Sequence, residues 1–463
     1  MDCFVRYTIP VQHVRCNDNV ISRPTPGCPM TVPVSSSPAT TWDRARRVMP
    51  GGASSGHRVG WDQVFVRSSG AHLWDETGRE YLDFLCAWGP IVLGHSDRRV
   101  NEAVLAATNT CDLTGVGPQL GEVQLAETVC SLLPSAQKVA FCTSGTDAAM
   151  HAAHVARALT GRRKLLKFHG SYHGWSDHLA VGCARNGVTA DTPLGSPNGG
   201  GLHPQMLADI VVVEWNDFAG LEAAFAEHGD SLAAVFAEGY IHSFGCVPAA
   251  PGFLERIRAL CDRQGTVFVM DEVKTGFRSA LGGYQSICGV TPDLTIFGKS
   301  IANGYSLAGM AGSDEAMRYV GAYDTQHATV DGTYNASPYA IAAANKTLEI
   351  MRTEDVVNRL YALGDRLRSK IQAAIDDTGA QAVVTGLGSQ WAVYFTDEAP
   401  RNFRQALRSD TRRYSAYQST LLAGGVLETV ATASDRRLCA ATTEEDIDRV
   451  AEVYHAAMAA TVS

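Results

Sequence analysis

Between Pro90 and Ala340 the chain repeats one design: a short apolar run, a few turn residues, then a stretch with helical patterning. The runs include Val139-Ala140-Phe141-Cys142, Leu165-Leu166-Lys167-Phe168, Ile210-Val211-Val212-Val213, Ala233-Ala234-Val235-Phe236, Thr266-Val267-Phe268-Val269-Met270 and Leu294-Thr295-Ile296-Phe297. Strands apolar on both faces need cover on both faces, and intervening helices supply the crossovers that parallel neighbours require. The pattern predicts an α/β fold around a largely parallel sheet.

The flanking segments differ. Residues 1–40 carry Pro10, Pro24, Pro26, Pro29, Pro33 and Ser35-Ser36-Ser37-Pro38 without a periodic apolar face, and are expected to be a disordered tail. An organelle transit peptide, or a start at Met30, is an alternative for this acid-poor stretch. Residues 41–95 open with a short helix from Trp42, stopped by Pro50-Gly51-Gly52, and continue with a hairpin turning on Gly78. They are expected to contribute to a small domain. The large domain is assigned to residues 96–345. Residues 346–463, with helices, alternating strands and a final helix entered at Thr443-Glu444-Glu445-Asp446, read as the rest of a smaller α/β domain.

Composition excludes more than it identifies. At 463 residues the chain can bury a large core. A formal net charge of -9, spread along the sequence, disfavours a nucleic-acid or anionic-membrane partner. No apolar run approaches the roughly 18 residues of a membrane span. The 12 cysteines form no CxxC pair, so a zinc or other metal site has no support. Scattered thiols without a secretory signal point to a cytoplasmic protein.

In a parallel α/β sheet, ligands bind beyond the carboxyl ends of the strands. Three such ends carry chemistry. Ser144-Gly145-Thr146, between a strand and a helix, offers backbone N–H groups and two hydroxyls to a phosphate, although a helix N-cap with a turn glycine accounts for the same residues. Asp271-Glu272 follows the run ending at Met270, and Lys299 follows Phe297-Gly298. Singly, each charge reads as a solvated strand terminus. Together they form the set that pyridoxal 5'-phosphate (PLP) needs: an anion cup, an acid for the pyridine nitrogen and an amine for the aldehyde carbon. A freed lysine can also move a proton at the substrate carbon. Tyr172, after the Leu165–Phe168 run, is placed to cover the ring. An ATPase reading fails, because GxxxxGK[ST] ending at Gly298-Lys299-Ser300 would need glycine at 293 and Asp293 stands there. A ligand-binding module without chemistry is the other alternative, and Lys299 argues against it.

These residues resemble the class III (omega, subgroup II) aminotransferases, and among them glutamate-1-semialdehyde 2,1-aminomutase-like proteins. The similarity runs over nearly all of residues 42–460 and includes Trp88-Gly89-Pro90, Tyr172-His173-Gly174-Trp175, Asp271-Glu272-Val273, Thr275-Gly276-Phe277-Arg278, Thr291-Pro292-Asp293, Gly298-Lys299 and Gly332-Thr333. It implies fold-type I, with a mostly parallel seven-stranded-type sheet, and a homodimer with active sites at the subunit interface. It implies that Lys299 is the Schiff-base lysine, that Asp271 pairs with the pyridine nitrogen, and that Val273 and Tyr172 cover the two ring faces. Ser144, Gly145 and Thr146 would hold the phosphate, Thr333 would reach the phosphate of the neighbouring subunit, and Arg58 falls where aminomutases keep an arginine for the substrate carboxylate. A surface arginine on a loop explains Arg58 equally well.

The departures from that pattern cluster around the pocket. Gly239 follows Glu238 where proline is usual, Lys274 stands where Gln or Met is common beside the cofactor, and Ala302-Asn303-Gly304-Tyr305 replaces a glycine-rich run. Ala433-Ser434-Asp435 replaces a stretch that contains a glutamate in aminomutases, and Trp175 follows the transaminase pattern. The resemblance therefore implies retained PLP chemistry on a changed substrate: amino transfer from a donor such as glutamate to a carbonyl acceptor, of a secondary-metabolite or amino-sugar kind. The aminomutase reaction itself, or epimerisation or elimination on the same fold, are the alternatives.

Overall fold

A computed structural model describes residues 40–59, 61–183, 188–321, 326–432 and 434–462. The expected tail lies outside the described residues apart from Thr40. The chain divides into two compact units, Met1–Val64 and Phe65–Ser463.

In the first unit, helix Thr41–Val48 starts at Thr40, whose side chain and that of Asp43 cap each other's backbone N–H groups. The helix stops at Pro50-Gly51-Gly52, where Gly51 takes φ 69°. Arg58 sits exposed in a short turn, Gly56–Arg58.

The second unit holds a seven-stranded sheet. Its strands are β1 (Lys138–Cys142), β2 (Lys164–Phe168), β3 (Ile210–Val213), β4 (Leu232–Ala237), β5 (Val267–Glu272), β6 (Leu294–Phe297) and β7 (Ala308–Gly312), in spatial order β1-β7-β6-β5-β4-β2-β3. Only β7 runs antiparallel to its neighbours, so the carboxyl ends of the other six share one edge. Alternate residues serve different cores. Leu166, Phe168, Val235, Phe268 and Met270 enter one cluster, capped by helix α2 (Phe253–Gln264). Leu165, Ala234, Phe236, Val267, Val269 and Ile296 enter the other, beneath helix α1 (Gly145–Thr160). Six of the seven strands coincide with the apolar runs.

β5 extends two residues further than its apolar run suggests. Asp271 and Glu272 lie within the strand, paired with Ile296 and Phe297. Their charge is tolerated because both carboxylates are hydrogen-bonded. Glu272 accepts from the N–H groups of Tyr284 and Gln285, each at 2.9 Å, and from the Thr275 hydroxyl.

Two smaller sheets bring distant segments to the same region. Strands Phe65–Ser69, His72–Asp75 and Glu80–Asp83 are joined by Val426–Leu427, while Val383–Leu387 and Gln390–Tyr394 are joined by Arg436–Arg437. The segment around 425–437 thus touches both, and the Arg437 N–H donates to Phe84 O at 2.9 Å.

Candidate active site

Asp271 follows the parity of Val267 and Val269, so its side chain leaves β5 on the α1 side of the sheet. It is nearly buried, 5 % exposed. His173 Nδ1 donates to its Oδ2 at 2.7 Å, and the Val273 N–H donates to Oδ1 at 2.9 Å. Glu272, of opposite parity, is consumed by structural hydrogen bonds, so the adjacent acids have separate jobs.

At the end of β1 the chain turns into α1. Ser144 is its N-cap: its hydroxyl accepts from the Asp147 N–H at 3.2 Å, and Asp147 accepts from the Ser144 N–H at 3.0 Å. The structural reading of Ser144 therefore holds, and it is compatible with binding. The N–H groups of Gly145 and Thr146 lie in the first turn, which has no intrahelical acceptors. They sit at the positive end of a 16-residue helix. A Cβ on Gly145 would lie 3.1 Å from both Val273 methyl carbons, and one on Gly174 would lie 2.8 Å from Thr146 Oγ1. Glycine at these positions lets the helix start, Val273 and the Tyr172-His173-Gly174 loop close around one cradle. Tyr172 is half-buried there, its N–H donating to Ser243 Oγ at 3.0 Å.

Lys299 follows β6, next to the end of β5. It has φ 48°, left-handed for a non-glycine residue. Such a conformation costs about 1–3 kcal/mol and persists only where its surroundings hold it. They do so here. Arg278, fully buried, donates to Gly89 O at 2.9 Å, Ile91 O at 2.6 Å and Leu438 O at 2.9 Å. Asn303, in the turn after Lys299, accepts from the Val92 and Leu93 N–H groups at 3.0 Å each and donates to Gly94 O at 3.0 Å. These bonds press the 89–94 segment onto Lys299: a Cβ on Gly89 would lie 3.1 Å from Lys299 Cδ.

The Lys299 amine is pushed down to about 7, first by burial, then by the nearby Lys274 and Arg437, with Asp435 and Asp271 opposing. A free amine is the nucleophilic form. The residues present fit PLP: a lysine whose amine is readily freed of its proton, a fixed carboxylate and an open helix N-terminus, with Val273 and Tyr172 beside them.

Thr333 lies in an exposed turn and lines a cleft with Thr143, Asp147 and His151, beside the start of α1. Arg58 belongs to the first unit, described above.

Two departures acquire a physical reason. At residue 239 the Tyr284 ring fills the space a side chain would need, since a Cβ would lie 2.5 Å from its Cδ1. Lys274 and Asp435 turn out to be partners, 2.9 Å apart. Sequence reasoning did not single out His173, Gly89, Arg278 or Arg437 as site residues. His173, Gly89 and Arg278 stand inside the quoted motifs, which was the available signal. Arg437 had none.

The family model described as Aminotransferase class-III matches residues 56–450. A glutamate-1-semialdehyde 2,1-aminomutase of Sorangium cellulosum is 38 % identical over 90 % of this chain and 95 % of its own. An omega-transaminase structure from Sphaerobacter thermophilus superposes with TM-score 0.84 at 32 % identity, covering 91 % of this chain and 97 % of that one. A glutamate-1-semialdehyde-aminomutase from Pseudomonas aeruginosa PAO1, in complex with PMP, superposes with TM-score 0.80 at 26 % identity, covering 91 % and 93 %.

Proposed function

The chain belongs to the class III aminotransferases, enzymes that use pyridoxal 5'-phosphate, and from that premise we propose that it transfers an amino group from a donor such as glutamate to a specialised carbonyl acceptor. The observation that carries this reading is the placement of Lys299, just beyond β6 and pressed by the 89–94 segment, next to Asp271 at the end of the neighbouring strand β5. The bound cofactor supplies a carbonyl for amine condensation and a ring that accepts an electron pair from the substrate carbon.

The protein's residues supply the rest. Lys299 is the covalent attachment point and, once released, the base that moves a proton at the substrate carbon. Asp271, oriented by His173 and the Val273 N–H, would pair with the cofactor's pyridine nitrogen. The N–H groups of Gly145 and Thr146, with the hydroxyls of Ser144 and Thr146, hold the phosphate. Val273 and Tyr172 would flank the ring. Arg58 receives a substrate carboxylate. The protein is a homodimer in which Thr333 of each subunit reaches the other's phosphate. The substrate's size and charge are set by the changed residues around the pocket, Lys274 and Asp435 among them, and a secondary-metabolite or amino-sugar acceptor is consistent with a pocket altered there while the cofactor set is kept whole.

The aminomutase reaction is the second reading, favoured by the 38 % identity to the Sorangium cellulosum protein of that name. A half-reaction separates the two. PLP-loaded protein mixed with glutamate, without acceptor, should convert to the pyridoxamine form, seen as loss of visible absorbance, with one equivalent of 2-oxoglutarate. Arg58→Ala should raise the glutamate concentration for half-conversion, and Lys299→Ala should lack the visible band. If glutamate and a panel of amines leave the band intact, amino transfer from an external donor is the wrong reaction. Turnover of glutamate-1-semialdehyde alone would then establish the mutase.

A further inference from the structure

Two departures noted separately in the sequence, 161 positions apart, meet in the fold. Lys274 Nζ donates to Asp435 Oδ1 at 2.9 Å and to His242 O at 3.1 Å. Asp435 is fully buried and serves a second cation, Arg437 Nη2, at 2.6 Å from the same oxygen. Its Oδ2 accepts from Gln390 Nε2 at 3.0 Å and lies 3.7 Å from His242 Nδ1. The Arg437 and Lys299 stems flank the same glycine: a Cβ on Gly89 would lie 3.8 Å from Arg437 Cδ and 3.1 Å from Lys299 Cδ.

We propose that Lys274, anchored by Asp435, is a positioning residue that sets the protonation of Lys299, an inference resting on the role given to Lys299 above.

The charges that act most on Lys299 are Lys274, Arg437, Asp435 and Asp271, with His242 behind Asp435 and the buried Arg278 guanidinium held on the Gly89, Ile91 and Leu438 carbonyls. Burial pushes His242 down to about 3, so it stays neutral. Burial alone would lift the Asp435 carboxyl, but Arg437 and Lys274 more than cancel this and hold it well below the carboxylate range. Asp271 is already engaged by His173 and the Val273 N–H. Beside Lys299, Lys274 and Arg437 share the one anion Asp435, and Arg278 adds a further cation, so an excess of positive charge opposes protonation of the amine. A buried ion pair is a costly way to join two segments, because apolar residues of similar volume do it as well or better. Lys274 also keeps 16 % of its side chain exposed.

The test is a pH titration of the visible absorbance of the PLP-loaded protein, without substrate. Replacing Lys274 by methionine removes a neighbouring cation and leaves Asp435 partly uncompensated, so the apparent pKa of the lysine–cofactor chromophore should rise by about one unit or more. Asp435→Asn removes the anion and should lower it. The double variant K274M/D435N restores the charge balance and should titrate near the parent. Lys274→Arg keeps the cation and should also stay near the parent. Singles that titrate like the parent, or that move in the same direction, overturn the proposal, as does an arginine variant that behaves like methionine. If the parent itself forms no visible band with PLP, the reading of Lys299 fails instead, and the two failures are distinct.

Discussion

Both oxygens of Asp271 are engaged before any ligand arrives, one by His173 and one by the Val273 N–H. Each has a further lone pair, and the hydrogen bonds fix the carboxylate plane instead of consuming its capacity. Asp271→Asn keeps the shape and removes the charge, so Lys299 and the helix start should still bind PLP. The electron-accepting state of the ring should lose its partner. We expect kcat to fall by roughly 100- to 1000-fold, the cost of removing one preorganised electrostatic partner, with the visible band preserved. Loss of the band instead would place Asp271 in binding alone. Lys299 adds a pH signature to the cofactor-free protein. An unfolded lysine titrates near its ordinary 10.5 and the folded one at about 7. Between those values the unfolded chain binds the extra proton, so this group's contribution to stability falls as pH drops from about 10.5 to about 7 and is constant below. At this scale the legible residues were those at the ends of apolar runs or inside short motifs. The Lys274–Asp435 pair was not legible as a pair, because no local periodicity links positions that only the fold brings together.

Among elements, the six strands of uniform direction announce themselves through Val, Ile, Leu and Phe, and β7 does not. Its sequence, Ala308-Gly309-Met310-Ala311-Gly312, has weak strand propensity. It is a strand through its pairing with β6 and β1 on either side, and it carries glycines because those neighbours leave no room for side chains there. A Cβ on Gly309 would lie 2.5 Å from Phe297 Cζ and 3.0 Å from Ala140 O, and one on Gly312 would lie 2.7 Å from Leu294 Cδ2. Tertiary crowding, invisible in a propensity pattern, selects the glycines. Gly309→Val raises local strand propensity and should nonetheless destabilise the protein by about 1–3 kcal/mol, the usual cost of overpacking, read from urea denaturation. Because Phe297 leads directly into Gly298-Lys299, the same variant should weaken PLP retention on dialysis. An unchanged midpoint would mean that β7 can shift away from β6 without loss.

Across the whole molecule, no described helix is long and apolar enough to cross a membrane, yet the fold leaves large apolar side chains outside. Val116 is 80 % exposed, Leu120 75 % and Leu105 63 %, with Val123 also exposed, spread over helices Arg98–Thr108 and Leu120–Leu132 and the connection between them. Apolar residues concentrated in one exposed segment mark an interaction surface, and a two-fold partner is the most economical one, since one patch then serves both subunits. Thr333, exposed in its turn, is likewise available to a neighbour. The homodimer reading therefore makes a linked prediction. Sedimentation velocity should show a dimer, and V116E/L120E should convert it to a monomer by placing charge in the interface. On that reading the monomer should bind PLP about 10- to 100-fold more weakly, because it would forfeit a hydrogen bond from the partner subunit's Thr333 to a charged phosphate, worth about 1.5–3 kcal/mol. Thr333→Val should weaken PLP binding to the same degree while the protein still sediments as a dimer. A monomeric variant with undiminished PLP affinity would show that each subunit's site is complete by itself, and that the exposed segment serves some other contact.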